Sequence, residues 1–319
     1  MQTALITGVN GFAGRHLARL LKCKNYKVYG TTRSPGFFMP VNMINGLVVT
    51  QLDNKDSWIR ILNEVKPDVV FHLASQSNVK IAWEQPSLAF LSNTMTALYL
   101  FEAVKQVSKN IRIISVGSSE EYGFYKEMEF PIKEESFPHP SNPYGVSKHS
   151  VALLARQFYE AFDMDIIHVR PFNHIGPGQR RGFVVPDFAY QVAKIEKGIQ
   201  KPIISVGNLS SKRDFTDVRD IVEGYELISR RGLKGQTYNI CSGKPVVISD
   251  LLEILISLSS SQIQIEEDPG KLRPIDIPIY YGSNEKIIEH TSWARSIELT
   301  QSLEDVLEEI RKEEWLENL

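Results

Sequence analysis

Two hydrophobic rhythms alternate along the first half of the chain. Short, nearly continuous apolar runs at Thr3–Thr7, Lys27–Thr31, Leu47–Leu52, Val69–Leu73, Ile111–Val116 and Ile166–Val169 predict buried strands. Between them, segments near Gly14–Lys22, Ser57–Val65, Leu88–Val107 and Tyr144–Phe162 carry helical periodicity. Such alternation demands right-handed crossovers, so the expected fold is α/β, a doubly wound parallel sheet. From about Pro171 the rhythm changes. The stretch Arg170-Pro-Phe-Asn-His-Ile-Gly-Pro-Gly-Gln-Arg-Arg-Gly182 is a Gly/Pro-rich loop, and loops of that length inside a compact protein are more often functional than connective. A helix near Val185–Lys197, a strand near Ile203–Val206 and helices near Ser249–Ser257 and Leu303–Trp315 follow. We expect a sheet domain over residues 1–170, with segments near 213–243 returning to it, and a smaller mixed α/β lobe over 171–319. That lobe is expected to cover the C-terminal edge of the sheet, where open parallel sheets bind ligands.

The first strand runs directly into Gly8-Val-Asn-Gly-Phe-Ala-Gly14 and then into a helix. Glycines let backbone N–H groups close on a pyrophosphate, and a helix N-terminus favours negative charge there. The spacing is one residue longer at its first step than the usual dinucleotide fingerprint. The end of the second strand reports on the adenosine ribose: Thr31-Thr-Arg33 carries no carboxylate for a free 2′-hydroxyl and one Arg suited to a 2′-phosphate. NADP(H) is therefore expected over NAD(H), with a solvated Arg33 as the bland alternative. Asp53, closing the third strand, reads either as an acceptor for the adenine amino group or as a turn or cap residue.

Tyr144-Gly-Val-Ser-Lys148 opens a helix, and residues four apart share one helix face. A phenol is a poor proton donor or acceptor at neutral pH, and a neighbouring ammonium is expected to lower its pKa. The fifth strand ends in Gly117-Ser-Ser-Glu-Glu-Tyr-Gly123, which brings hydroxyls and carboxylates to the same sheet edge. Ser118 is expected to donate to a substrate oxygen that Tyr144 protonates. Glu120 and Glu121 read as solvated loop carboxylates or as acids on the first turn of a short helix.

Charge and composition narrow the function. With 36 Lys and Arg against 38 Asp and Glu, the net charge of −2 offers no broad footprint for nucleic acid and no polybasic membrane arm. Two cysteines, Cys23 and Cys241, exclude a disulfide framework and a Cys-rich zinc site, and nothing has metal-ligand spacing. No apolar run approaches a membrane span, and Met1-Gln-Thr-Ala-Leu does not read as a signal peptide. A soluble, cytoplasmic protein is expected.

Taken together, the pattern resembles the extended short-chain dehydrogenase/reductase family, in its nucleotide-sugar-modifying branch. The resemblance is carried by Thr7–Gly14, Leu52-Asp53, His72-Leu-Ala-Ser75, Asn93, Ser118–Gly123, Tyr144–Lys148, Arg170-Pro-Phe-Asn173, Arg213-Asp-Phe and Arg273-Pro, so it spans nearly the whole chain. Within that branch, His72–Val79 with Trp83-Glu-Gln-Pro86 is similar to a stretch shared by the 4,6-dehydratases of GDP-mannose and the reductases of their keto product. The segments Gly117–Gly123, Phe172–Gln179 and Val206–Asp220 look most like the reductases.

The resemblance implies a Rossmann-type fold and NAD(P)H-dependent reduction of GDP-4-keto-6-deoxy-D-mannose to GDP-D-rhamnose. The C4 epimer, GDP-6-deoxytalose, is not separable from the residues. It implies Tyr144 as acid, Lys148 as its activator and Ser118 as hydroxyl partner. Gly8, Asn10, Gly11, Phe12, Gly14, Arg33, Asp53, Leu73, Ala74, Ser75, Tyr144 and Lys148 would hold the dinucleotide. Ser119, Asn173, Arg213, Arg273 and Asp276 would hold the GDP-sugar, whereas Arg180 and Arg181 read as surface residues. The rival implied is a dehydratase, in which Glu120 would be the acid/base; a non-catalytic sensor would be expected to lack the Tyr/Lys pair. A homodimer through a four-helix bundle, built from Leu88–Val107 and Val151–Phe162, is also implied.

Overall fold

Runs of β-branched and aliphatic residues long enough for one strand each become a parallel sheet buried on both faces. The computed structural model describes residues 1–33, 43–271 and 277–312. Its first six strands are β1 (Thr3–Thr7), β2 (Lys27–Thr32), β3 (Gly46–Val49), β4 (Val69–His72), β5 (Arg112–Val116) and β6 (Ile166–Pro171). Later strands are β7 (Asn173–Ile175), β8 (Ile203–Val206), β9 (Lys212–Asp217), β10 (Thr237–Ile240), β11 (Pro245–Val247), β12 (Gln264–Glu267) and β13 (Ile279–Tyr280). The main sheet is ordered β10-β6-β5-β4-β1-β2-β3, with every neighbouring pair parallel. The chain reverses direction across the sheet between β1 and β4, the place where such folds open a ligand crevice.

The helices are α1 (Phe12–Cys23), α2 (Lys55–Val65), α3 (Val79–Glu84), α4 (Pro86–Ala89), α5 (Thr96–Val107), α6 (Pro143–Phe162), α7 (Val184–Glu196), α8 (Val218–Arg231), α9 (Ile248–Ser257), α10 (Glu285–Thr291) and α11 (Leu299–Arg311). Leu17, Leu21, Val222 and Tyr225 of α1 and α8 pack on one face of the sheet. Trp58, Leu62, Leu100, Phe101 and Val151 of α2, α5 and α6 pack on the other. The sheet is thus doubly wound, as the alternation predicts. Beyond β6, α7, α9 and α11 close a separate core with Ile175, Ile204 and Phe215. Here β9 pairs with β7, β11 and β13 in a small mixed sheet. Strand β10, by contrast, extends the main sheet beside β6.

Several expected boundaries shift for local reasons. The third strand ends at Val49 rather than Leu52, and Leu52 is buried in the same core cluster as Trp58. The segment 88–107 is not one α-helix: a π-helical stretch, Phe90–Met95, lies between α4 and α5. The last helix begins at Leu299, four residues ahead of the expected Leu303.

Asp220 ties the second lobe's return to the sheet core. Its Oδ1 accepts from the Ser296 N–H (3.0 Å) and hydroxyl (2.7 Å), its Oδ2 from the Ile297 N–H (3.1 Å), and its carbonyl from the Trp293 indole (2.9 Å). Stripping a buried carboxylate from three donors leaves them unpaired. Asp220→Ala is therefore expected to lower unfolding free energy by about 3 kcal/mol. Calorimetry would read this as a clear drop in melting temperature, and an unchanged melting temperature would contradict it.

Candidate active site

The glycine loop turns on contacts that only glycine permits. Gly8 has φ +67°, and a Cβ there would stand 3.1 Å from the Ala74 Cα; a Cβ on Gly14 would stand 2.4 Å from the Gly8 carbonyl oxygen. The Gly11 N–H folds back on the Gly8 carbonyl at 2.8 Å. The loop therefore lies close against the end of β4, with its backbone at the start of α1, the kind of place that favours an anion. Gly30 in β2 serves the same packing, since a Cβ there would stand 2.5 Å from Val9 Cγ1. The Thr7 hydroxyl closes the seam: it accepts from the Ala74 N–H (2.9 Å) and meets His72 Nδ1 (3.1 Å). Leu73, Ala74 and Ser75 are thereby brought to the glycine loop. Asn10 donates to the Thr32 hydroxyl (3.2 Å), so the end of β2 and the exposed Arg33 stand beside the same loop. Asp53 is exposed and takes the Asn54 amide (2.8 Å); the cap of α2 is Asn54, not Asp53.

The residues expected to do acid–base work come from the turn after β5 and the start of α6. Pro143 occupies the first helical turn and Asn142 caps it, accepting the Gly145 N–H at 2.8 Å. Tyr144 and Lys148 follow, both buried. Lys148 Nζ donates to the Val116 carbonyl at 2.8 Å and stands 6.0 Å from the Tyr144 ring centroid. Burial lowers the lysine to about 8, the Glu121 charge opposing it. The expectation that Lys148 lowers the Tyr144 pKa is corrected. Burial pushes the phenol well above its ordinary value; a hydrogen bond with Ser118 opposes this and the charges of Glu120 and Glu121 add to it. At neutral pH the phenol keeps its proton.

Ser118 caps a 3₁₀ turn, Ser119–Glu121, accepting the Glu120 N–H at 3.2 Å in a capping box with Glu121. Both glutamates thus lie on the first turn of a short helix and neither is a solvated loop acid. Glu120 Oε2 accepts the Asn142 amide at 2.7 Å, bracing the cap of α6. Ser119 is buried, and its carbonyl accepts the Tyr280 hydroxyl at 2.6 Å. Asn173, exposed, lies on β7 opposite Phe215 of β9; Arg213 is two residues earlier on β9 and donates to the Lys212 carbonyl. Arg180 is exposed, and Arg181 lies 3.7 Å over the Tyr190 ring. Arg273 and Asp276 lie outside the described residues. Among the described residues no cluster of His, Cys, Asp or Glu has the arrangement of a metal site.

Two residues given no role by the sequence matter here. Asn93, in the π-helical stretch, donates to the Ser147 hydroxyl (2.9 Å) and the Gln76 carbonyl (3.1 Å) and accepts the Gln76 N–H (2.7 Å), locking α6 to the end of β4. π-Helical insertions recur at functional sites, but no short pattern announces them. Asn142 was legible, because Asn followed by Pro at the first helical position is a start signal.

The parallel sheet, the glycine cradle and the Tyr–Lys helix define an extended short-chain dehydrogenase/reductase, an oxidoreductase built around a nicotinamide dinucleotide. The chain belongs to the GDP-mannose 4,6-dehydratase family, whose model matches residues 5–306. It is 32% identical over 306 residues to the GDP-6-deoxy-D-mannose reductase of Pseudomonas aeruginosa, covering 96% of each chain. It is 31% identical to the GDP-6-deoxy-D-talose 4-dehydrogenase of Aggregatibacter actinomycetemcomitans, covering 89% of each. A structure of RMD from Pseudomonas aeruginosa complexed with NADPH superposes with a TM-score of 0.86 at 31% identity, covering 98% of this chain and 99% of that one.

The lowered Lys148 gives a signed prediction. Its ammonium is charged below about pH 8 and loses its proton above it. The NADP⁺ dissociation constant is therefore expected to be flat from pH 6 to 8 and to rise above pH 8. Lys148→Met is expected to bind several-fold more weakly and to show no rise. Fluorescence titration across that range reads both, and an identical pH dependence in the variant would contradict the assignment.

Proposed function

We propose that this protein reduces the 4-keto group of GDP-4-keto-6-deoxy-D-mannose, with NADPH as hydride donor and GDP-D-rhamnose as product. The observation that carries the reading is the buried, protonated Tyr144 beside Ser118. Reduction of a ketone asks for one proton donor at the oxygen, and an acid kept neutral at pH 7 within reach of a hydroxyl is that donor. NADPH, when bound, supplies the hydride. Ser118 orients the carbonyl oxygen, Tyr144 gives up its proton as charge develops there, and Lys148 holds the nicotinamide ribose. Arg33 reads the 2′-phosphate and so favours NADP(H), NAD(H) being the alternative. Asp53 takes the adenine amino group. Asn173, Arg213 and Arg273 hold the diphosphate and Asp276 the guanosine ribose, with the sheet domain supplying the cofactor side and the residues beyond 171 the sugar side.

The family's dehydratases supply the second reading, and Glu120 is the residue that favours it. Against it stands the Glu120–Asn142 hydrogen bond, which gives that carboxylate a bracing role. A dehydratase regenerates its cofactor within each cycle, whereas a reductase consumes one NADPH per ketosugar. The expected outcome is stoichiometric NADPH oxidation with the ketosugar and none with GDP-mannose. Tyr144→Phe is expected to lose at least a hundredfold in rate, and Glu120→Gln less than tenfold. Conversion of GDP-mannose without added reductant, abolished by Glu120→Gln, would overturn the reading.

The partner is a second copy of this chain. Along α6, Val146 (39% exposed) and Leu153 (52%) lie seven residues apart on one face, and Leu88 (38%) and Leu91 (62%) stand out on the adjoining α4 and π-helical stretch. Two such pairs meeting across a two-fold axis make a four-helix bundle. Among the described residues no helix is long and apolar enough to cross a membrane, and the setting proposed is the cytoplasm. Sedimentation is expected to show a dimer at micromolar concentration and a monomer for Leu91→Glu/Leu153→Glu. A wild-type monomer would remove the proposal.

A further inference from the structure

Glu121 is wholly buried, and the reaction as read above makes no use of it. Its Oε1 accepts the Ser118 N–H (3.0 Å) and pairs with His168 Nε2 (2.8 Å); its Oε2 accepts the Arg170 Nε–H (2.8 Å), with His149 Nδ1 at 3.9 Å. The pocket exists because residue 117 is glycine: a Cβ there would stand 2.0 Å from Glu121 Oε1 and 2.3 Å from His168 Nε2. The partners come from β6, from α6 one residue beyond Lys148, and from the turn that carries Ser118. A neutral side chain would close a capping box equally well, as glutamine does, and burying a carboxylate is costly unless its charge is used or matched. Arg170 matches it and lies 4.5 Å over the Tyr122 ring. Of that ion pair, Glu121 is the member whose charge acts on both Tyr144 and Lys148.

We infer that Glu121 is a positioning residue that locks Ser118 against Tyr144 and, through its buried charge, keeps the Tyr144–Lys148 pair in its protonated form. A negative charge at this depth disfavours a phenolate and favours an ammonium, so both effects act in the same direction. The other groups facing the pair are Glu120 from the same turn, His72 at the end of β4, and Tyr225 of α8. Burial and the Lys148 charge hold His72 neutral, at about 3, and Tyr225 is likewise held neutral by burial, so within the working range the carboxylates set the field. The consequence is a pair that keeps the proton needed for ketone reduction up to higher pH than it would without the charge.

The inference rests on the reductase reading, and the experiment separates the two. The rate of ketosugar-dependent NADPH oxidation is measured from pH 6 to 10 for the wild type, Glu121→Gln, Glu121→Asp and Arg170→Gln, with circular dichroism and NADPH titration identifying the folded variants. Glu121→Gln keeps the shape and an acceptor for the Ser118 N–H while removing the charge, and its high-pH limb is expected to fall about one unit earlier. Glu121→Asp keeps the charge and is expected to leave the limb in place while lowering the rate. Arg170→Gln removes the cation that keeps the buried carboxylate ionised and is expected to move the limb in the same direction as Glu121→Gln. A merely structural role lowers the rate without moving the limb, and that result overturns the inference. A wild type that does not oxidise NADPH with the ketosugar overturns the reductase reading instead.

Discussion

The whole site depends on a seam where β1 and β4 part. The Thr7 hydroxyl binds the end of β4, and Gly8 lies close against Ala74 in a left-handed conformation, φ +67°, that side chains rarely adopt. Neighbouring parallel strands whose connections leave on opposite faces of the sheet must open a crevice at their C-terminal ends. Here the crevice is lined by backbone rather than by side chains, because three glycines keep its floor clear. The proposed dinucleotide would meet backbone N–H groups there, and the turn after β5 lies at the same edge of the sheet.

That turn is organised by charge. Lys148 and Glu121 are both buried, and each is held by identified partners: a strand carbonyl for the lysine, and an arginine, a histidine and a backbone N–H for the glutamate. Charges removed from water act on their surroundings more strongly than exposed ones. Burial, with the Glu120 and Glu121 charges adding to it, makes a phenol that retains its proton rather than the activated phenolate suggested by a Tyr–Lys spacing alone.

The second lobe is strapped to the cofactor side of the sheet rather than hinged freely over it. Arg15 donates to the Gly178 carbonyl and His16 contacts the Pro177 carbonyl, both at 2.8 Å, while Phe12 stacks on His174 with ring centroids 5.7 Å apart. Glu309 of α11 takes the Gly178 N–H from the other side. The Gly/Pro-rich loop singled out in the sequence is therefore a structural joint between α1, proposed to face the pyrophosphate, and the lobe proposed to receive the sugar nucleotide.

By itself the sequence determined the alternation of strands and helices, the glycine loop, the Tyr–Lys pair and the position of all three at one sheet edge. Each of these is local: a period, a turn requirement or a four-residue spacing is complete within a few neighbouring residues. It also left Glu121 without a role, left Glu120 open between a helix-turn acid and the acid/base of a dehydratase, and expected a lowered Tyr144 pKa where burial raises it. Only the tertiary structure decided those points. Whether a carboxylate meets water, an asparagine 22 residues away or an arginine 49 residues away depends on which strands pair. A pKa follows from that enclosure, and no spacing along the chain records it.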